Sequence, residues 1–282
     1  MKTFSHILFP VDFSERGEAA RAVVHSWAQH FNAKVTLLHT IQIPISSYGG
    51  PDGYPIIVDI PGIEASARKR LDQFELPGAE RIVTVGDPAY EVVQYAGKND
   101  VDLIMMPTHG YGTFRSLLLG STAAKVLHDA HCPVWTSAHI ERPVAARTKV
   151  HNILCAIEGV PEDLPVLRSA SALANAWEAK LRLVHAVPFD ETRPEKYLEV
   201  EFDGALLELA RKDVADLQRE AGTNLDATVT GGKASHVVRD AAIAHDADLV
   251  VTGPGKLHAT FGRLRSNTYA IIRDSPCAVL SV

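Results

Sequence analysis

The sequence predicts an α/β fold built twice, in which two tandem halves each form a doubly wound, parallel, five-stranded sheet. Three observations predict this architecture. Short apolar segments alternate with longer segments of helical periodicity, which is typical of parallel sheets with helices on both faces. That alternation occurs twice along the chain at a nearly constant spacing. The length of 282 residues also suits two domains of about 140 residues each, close to the commonest domain size.

Each element of the first half follows from its local pattern. An apolar strand at residues 6–11 precedes an alanine-rich helical segment at 15–31, in which Trp27 and Phe31 stand four residues apart. The later elements are a strand at 34–40, a loop at 44–61, a helix at 63–74, a strand at 81–85, a helix at 89–98, a strand at 103–106, a helix at 120–129 and a strand at 133–137. Sheets of this kind bind ligands beyond the carboxyl ends of their strands.

Similar strings recur in the second half. Cys132 and Cys277 stand in the strings HCPVW and PCAVL, an offset of 145 residues (277 − 132). The strings HIL at 6–8 and NIL at 152–154 give an offset of 146 (152 − 6). Because the offset holds across a whole half, we interpret the chain as a tandem duplication. We place one domain at 1–140 and a second at 150–282.

Composition narrows the class of protein. Apolar residues make up 46% and charged residues 22% of the chain, and the formal net charge is −6. That charge argues against general nucleic-acid or membrane-surface binding. No segment reaches the about 20 apolar residues of a membrane span, and Met1 leads into a strand without a signal-peptide pattern. Three cysteines in apolar contexts indicate reduced thiols, so the sequence predicts a cytoplasmic protein.

One stretch of the first half has the features of a phosphate site. The string VDLIMMPTHG at 101–110 predicts a buried strand and a turn, and Gly120-Ser121-Thr122 begins a helix after a short loop. A helix start offers unpaired backbone N–H groups and the positive end of the helix dipole, and both attract phosphate. Glycine lets the backbone approach an anion closely.

Several strings in order resemble the universal stress protein family. They are ILFPVDFS at 7–14, LLHT at 37–40, GDP at 86–88, PTHG at 107–110 with GS at 120–121, and CPV at 132–134. The resemblance covers nearly the whole chain, twice. It implies a Rossmann-like sandwich of the adenine-nucleotide α-hydrolase-like class.

The same resemblance implies a ligand, because members of one branch bind ATP through the pattern Gly-x2-Gly-x9-Gly-(Ser/Thr). Three of its four positions match here, and proline stands at the first, where it cannot donate a backbone hydrogen bond. By resemblance, Asp12 would face the adenine or ribose, and the start of the last helix would meet the phosphates. The implied contacts with ATP, with or without Mg, are Pro10, Val11, Asp12, Thr40, Met106, Pro107, Gly110, Gly120, Ser121 and Thr122.

Each assignment has a structural alternative. Asp12 is also placed to cap the following helix, with Glu15 three residues on. Gly120-Ser121 also fits the ordinary start of a helix. His109 fits a simple turn, and Arg115 fits either a phosphate partner or a solvated surface position.

The second half departs from the ATP pattern. Glu158 replaces the aspartate, and TGPG at 252–255 replaces PTHG. Arg265 or Ser266 stands where the third glycine would be, depending on the register. We therefore expect a degenerate second domain without ATP, the alternative being that Arg263 and Arg265 bind a different anion.

Three functions stay open at this point: an ATP-binding stress-response module, a scaffold that acts by protein contacts alone, and a slow ATPase. We assign no catalytic residue and no metal ligand, since His128, His131 and Cys132 lack an evident fourth ligand. The expected partner is an adenine nucleotide. A homodimer and an unidentified protein partner are left open.

The repeat predicts how the halves assemble. In single-domain members of the family the last strand commonly pairs with its counterpart in a dimer, so residues 134–136 and 279–281 would pair within one chain as an intramolecular pseudo-dimer. We therefore expect a separated first half, residues 1–140, to self-associate in sedimentation experiments. A folded, monomeric first half would contradict this pairing.

Overall fold

The computed structural model describes residues 4–43, 59–108, 119–137, 147–188, 197–253 and 266–282. The chain divides into two compact units, of which one ends at Val134 and the other runs from Trp135 to Val282. The predicted domain limits and the predicted pseudo-dimer stay predictions.

The first half alternates strands and helices. The strand order is β3-β2-β1-β4-β5, and β1 pairs in parallel with both β2 and β4. The elements are β1 (His6–Pro10), α1 (Glu15–Phe31), β2 (Lys34–Ile41), α2 (Ile60–Asp72), β3 (Glu80–Val85), α3 (Pro88–Lys98), β4 (Leu103–Met106), α4 (Ser121–Asp129) and β5 (Val134–Thr136).

The second half repeats this topology. Its strand order is β10-β9-β6-β7-β8, with β6 in parallel between β7 and β9. A 3₁₀ turn covers Pro161–Asp163. The elements are β6 (Asn152–Ile157), α5 (Leu164–Trp177), β7 (Lys180–Val187), α6 (Tyr197–Ala221), β8 (Ala227–Gly231), α7 (Ala234–Ala244), β9 (Leu249–Thr252), α8 (Ser266–Asp274) and β10 (Ala278–Ser281). The predicted α/β class with two tandem parallel sheets is confirmed.

One predicted element boundary is wrong by three residues. Helix α2 begins at Ile60, whereas the sequence predicts a helix that begins at residue 63. Asp59 caps the helix by accepting a hydrogen bond from the Gly62 backbone N–H at 3.0 Å. Pro61 fits the first turn, where no intrahelical donor is needed. The rest of the predicted loop, 44–58, lies outside the described residues.

The central strands are buried on both faces. Ile7, Leu8 and Phe9 of β1 are fully buried, and so are Leu103, Ile104 and Met105 of β4. Helices on both faces of a parallel sheet explain why these strands read as continuous apolar runs. Burying one such side chain contributes about 1.5–3 kcal/mol.

A repeated carboxylate fixes the start of each central strand. Asp102 accepts hydrogen bonds from the backbone N–H groups of Ser5, at 2.8 Å, and His6, at 3.1 Å. Asp248 accepts equivalent bonds from His151, at 2.7 Å, and Asn152, at 2.9 Å. These bonds satisfy backbone N–H groups at the start of the central strand, before its regular pairing begins. They also hold the central strand in register with the strand next to it.

Within the parts of the chain that the structure describes, no helix combines the length and apolar character needed to cross a membrane.

His6 predicts a pH dependence of stability. Its ring is 2% exposed, with Nδ1 2.9 Å from the Asn99 carbonyl and Nε2 2.9 Å from Thr36 Oγ1. Burial lowers the pKa of His6 below its ordinary value of 6.5, despite opposing effects of the Asn99 bond and Asp102. The unfolded chain therefore takes up the proton first. The stabilising contribution is complete above about pH 6.5 and is lost as the pH falls towards the folded pKa.

Replacing His6 with asparagine, the residue at the equivalent position 152, should remove this loss of stability below about pH 6.5. The measurement is urea unfolding between about pH 5 and 8, with the exposed His128→Asn as the control. An unchanged pH slope in His6→Asn would contradict the assignment, whatever the variant's absolute stability.

Candidate functional site

The site residues predicted for the first half lie at the carboxyl end of its sheet. Pro10 ends β1, Thr40 lies near the end of β2 and Met106 ends β4. Because β1 lies between β2 and β4, these ends are neighbours at one edge. Gly120 precedes α4. Gly110, together with His109 and Arg115, lies outside the described residues.

The turn after β1 is held by Asp12 and Ser14. Asp12 Oδ1 accepts a hydrogen bond from the Ser14 backbone N–H at 2.9 Å. Ser14 caps α1 by accepting from the Gly17 N–H at 3.1 Å. The alternative that Asp12 itself caps the helix, paired with Glu15, is therefore wrong, because Ser14 occupies that position. Asp12 is half-buried and shapes the turn beyond the strand.

Phe13 was not among the predicted site residues, yet it is central to this turn. Its φ is 59°, a left-handed conformation that costs an aromatic residue on the order of 1 kcal/mol or more. The phenyl ring lies 4.6 Å from the His39 ring, and the Arg70 guanidinium lies 4.2 Å from the phenyl centroid. These two contacts help to hold the strained backbone.

His39 and Thr40, near the end of β2, lie next to this turn. The Nδ1 atom of His39 is 2.7 Å from the carbonyl oxygen of Val11, and only a protonated Nδ1 can donate to it. Thr40 Oγ1 lies 3.1 Å from Thr84 Oγ1 on β3. The imidazole thus ties β2 to the end of β1, next to the buried Val11 side chain.

The signature string after β4 carries an orphaned polar group. Pro107 is buried, and Thr108 is fully buried with a hydroxyl that has no hydrogen-bond partner among the described residues. The Gly120 N–H donates to the Thr108 carbonyl at 2.9 Å and so joins the two ends of the intervening segment. A buried hydroxyl without a partner costs about 1–3 kcal/mol, so a partner for this group would stabilise the folded chain.

Helix α4 presents an uncapped N-terminus. Gly120 is its N-cap, no side chain caps the helix, and the Gly120 carbonyl accepts from the Ala124 N–H. The first N–H groups of a helix have no intrahelical acceptor, so those of Ser121 and Thr122 are of the kind that binds anions. The φ of Gly120 is −58°, which any residue adopts. The backbone angle therefore does not require glycine at this position.

The second half keeps part of this arrangement. The Nδ1 atom of His185 lies 2.9 Å from the Ile157 carbonyl, as His39 does from Val11. Gly159, with φ 74°, stands where the first half has Phe13. Asp163 Oδ2 holds the turn by accepting from the N–H groups of Glu158, at 2.9 Å, and Val160, at 3.0 Å.

The cysteines are poorly suited to bind metal or act as nucleophiles. Burial raises the pKa of Cys132 to about 11, with a further effect of the Asp102 charge. Burial also raises the pKa of Cys277 to about 12. Both thiols stay protonated at neutral pH, whereas a thiolate is the form that binds metal or attacks. Among the described residues, no group of three or more histidine, cysteine, aspartate or glutamate side chains is placed to hold a metal ion.

Known proteins with similar sequences are universal stress proteins. A universal stress protein of Thermus aquaticus is 31% identical over 142 residues, which cover 46% of this chain and 96% of that protein. Universal stress protein A homolog 1 of Coxiella burnetii is 32% identical over 136 residues, covering 46% of this chain and 94% of the relative.

Solved structures match over the full length. The crystal structure of a universal stress protein from Archaeoglobus fulgidus superimposes with a TM-score of 0.68 at 18% identity, covering 98% of this chain and 95% of that one. At that identity the match establishes the fold alone. The model of the universal stress protein family matches residues 3–137 and again 149–282, and the chain therefore belongs to that family as a tandem, two-domain member.

Proposed function

We propose that the first half binds ATP and that the protein acts as a nucleotide-dependent stress-response module. The observation that carries the proposal is the pairing of an uncapped α4 N-terminus with the buried, unpartnered hydroxyl of Thr108. Both groups donate hydrogen bonds to an anion. Adenine nucleotides are frequent ligands of this family.

The adenosine part would lie over the ends of β1 and β2. Val11 and Pro10 offer apolar contact for a base, next to Thr40. The Asp12 carboxylate is half-buried, and a ribose hydroxyl can donate to it. Met106 ends β4 and extends the apolar floor towards the phosphates.

The phosphates would be bound by the start of α4. The N–H groups and hydroxyls of Ser121 and Thr122 supply donors there, reinforced by the helix dipole. The Gly120 N–H is already bonded to the Thr108 carbonyl and does not donate to the phosphates. Gly120 would contribute by leaving room for them and by closing the loop. Pro107 has no N–H to give and shapes the turn that presents Thr108. Gly110 completes the proposed set, and Mg would accompany the phosphates.

The proposed role is binding and not catalysis. A nucleotide that binds the folded state at about 100 times its Kd stabilises that state by about 2.7 kcal/mol, which is enough to favour one conformation or partner over another. The missing backbone donor at Pro107 is the observation that favours the second candidate, a scaffold that works without nucleotide.

Calorimetric titration with ATP tests the proposal. We expect one site per chain with affinity near micromolar, about −8 kcal/mol, and a loss of binding in Gly120→Arg, because the new side chain occupies the phosphate position. Gly204→Arg on α6 is the matched control, since a side chain at Gly204 meets open space. Absence of binding by the folded native chain at millimolar ATP would support the scaffold.

Thr108 provides a second, independent prediction. Thr108→Val should leave the free energy of unfolding unchanged or slightly raised without nucleotide, because it removes an unsatisfied group. The same change should weaken ATP binding about tenfold through loss of one charge-assisted hydrogen bond.

Thr36→Val is the matched control for this change. Thr36 is also fully buried, but its hydroxyl contacts His6 and Glu80. We expect Thr36→Val to lose about 1–3 kcal/mol in urea unfolding and to leave ATP affinity unchanged. If Thr108→Val lost comparable stability without affecting ATP, the hydroxyl would have a structural role.

A further inference from the structure

An ion pair joins α3 to α4, the helix whose start is proposed to bind phosphate. Lys125 Nζ lies 3.2 Å from Asp87 Oδ2, and both side chains are largely exposed to solvent. We propose that Lys125 is a phosphate-binding residue, which Asp87 holds in the absence of nucleotide and which moves to the phosphates when a nucleotide binds. The inference rests on the proposed ATP site and adds to it an exchange of ion-pair partners.

Lys125 lies on the same face of α4 as Ser121. The two residues are four apart in a helix that runs from Ser121 to Asp129. Side chains at this spacing are neighbours, with about 5–6 Å between their β-carbons. Helical side chains also lean towards the N-terminus of their helix. The flexible four-carbon stem of lysine therefore brings its ammonium group within reach of an anion at the Ser121 N–H.

The nucleotide contacts proposed above include no lysine or arginine. The donors to phosphate are backbone N–H groups and the hydroxyls of Thr108, Ser121 and Thr122, and Asp12 adds a carboxylate to the set. The helix dipole supplies only about half a positive charge, against several negative charges on a triphosphate. Helix α4 contains one lysine and no arginine, so Lys125 is the full positive charge that this helix offers.

The bond between Lys125 and Asp87 is of a kind that exchanges readily. An ion pair between exposed side chains contributes little to stability, because water solvates both groups and holding two side chains in one geometry costs entropy. A triphosphate offers the ammonium group more negative charge and more acceptor oxygens than one carboxylate does. Lys125 therefore gains electrostatic energy when it moves from Asp87 to the phosphates.

Asp87 keeps a role of its own after this exchange. Its Oδ1 atom accepts a hydrogen bond from the Tyr90 backbone N–H at 3.0 Å and so caps α3. The Tyr90 N–H and, as a smaller effect, the Lys125 ammonium group lower the pKa of Asp87 below its ordinary value. Because the larger effect comes from the backbone bond, the carboxylate stays ionised without the lysine. The exchange therefore changes the contact between α3 and α4 and leaves α3 capped.

Both members of the pair are replaced in the second half. The N-cap of the helix that follows β3 is Asp87, whereas the N-cap of the helix that follows β8 is Lys233. Ala270 stands in α8 where Lys125 stands in α4, four residues after the first residue of each helix. The cation on the last helix therefore occurs in the half for which ATP binding is proposed and is absent from its counterpart at the same position.

Calorimetric titration of the full chain with ATP and with adenosine tests the phosphate role of Lys125. Lys125→Met keeps most of the side-chain volume and removes the charge. We expect it to weaken ATP binding at least about tenfold and to leave adenosine binding unchanged, because adenosine carries no phosphate. Lys98→Met is the matched control, since Lys98 is an exposed lysine at the other end of α3. Equal effects of the two changes on ATP, or no effect of Lys125→Met, would overturn the proposal.

Asp87→Asn tests the exchange of partners. Asparagine caps a helix about as well as aspartate does, so α3 stays capped while Lys125 loses its charged partner. We expect ATP binding to tighten about two- to fivefold, and this gain to disappear when Lys125→Met is also present. No gain, or a gain of the same size in both backgrounds, would contradict the exchange, because Asp87 would then act through its own charge or not at all.

Inorganic triphosphate separates this inference from the proposed function, because it presents phosphates without adenosine. The native chain should bind triphosphate more tightly than Lys125→Met does. If it does so but does not bind ATP, the ATP proposal fails and the phosphate role of Lys125 stands. If the native chain and Lys125→Met bind ATP equally, the ATP proposal stands and the role of Lys125 fails. A native chain that binds neither ligand overturns both.

Urea unfolding without ligand shows whether the pair acts only by supporting the fold. The unfolding midpoints should be nearly the same for the native chain, Lys125→Met and Lys98→Met, because an exposed ion pair contributes little to stability. A midpoint that is lowered in Lys125→Met alone, together with weakened adenosine binding, would show that the pair holds the helices in place. That result would overturn the phosphate role of Lys125.

Discussion

Complete burial of the central strand is the constraint on which the rest of each half depends. Every side chain from Ile7 to Phe9 is excluded from water, and β1 is bonded to a strand on each side. A strand in this position accepts no charged group and has no free backbone donor. Polar chemistry can therefore appear only where the strand ends, at the turn that begins with Asp12. The location of the site follows from the packing and not from the ligand.

The second constraint is the bond between an imidazole and the carbonyl that ends the central strand. It is present in both halves, from His39 to Val11 and from His185 to Ile157. It satisfies a carbonyl at the end of the central strand or just beyond it, and it fixes the tautomer of each ring. Because the bond is the same in both halves, the difference between their sites must come from what surrounds the ring. Phe13 covers it in one half, and Gly159 leaves it open in the other.

The sequence predicts most of the fold because its signals are local or periodic. Helix α1 was predicted at 15–31 and is found at Glu15–Phe31, since Ser14 caps it and Asn32, in the left-handed region, ends it. The start of α2 was missed because Ile60-Pro61 resembles a loop until Asp59 is recognised as its cap. Elements with strong periodicity were easier to place than their ends, which depend on single hydrogen bonds.

The details of the site were less predictable for a different reason. Asp12 and Ser14 are both good capping residues, and only the three-dimensional turn shows which of them caps α1. Phe13 adopts a left-handed backbone that its residue type disfavours, and it is held by His39 and Arg70, which are distant in sequence. The orphaned hydroxyl of Thr108 is equally invisible in sequence, because whether a group finds a partner depends on the whole neighbourhood.

The second half differs from the first at its site residues, yet the space beside them is not filled. Glu158 keeps a carboxylate where the first half has Asp12, while Gly253 or Pro254, depending on the register, stands at the position of Thr108 and neither carries a hydroxyl. A domain retained only for packing gains stability when side chains fill a void, because each lost contact costs dispersion energy. The second half instead keeps about 510 Å³ of space and an open imidazole. This cavity lies at the carboxyl ends of β6, β7 and β9, where parallel sheets of this class bind ligands, so losing the phosphate features of the first half changes the site without filling it.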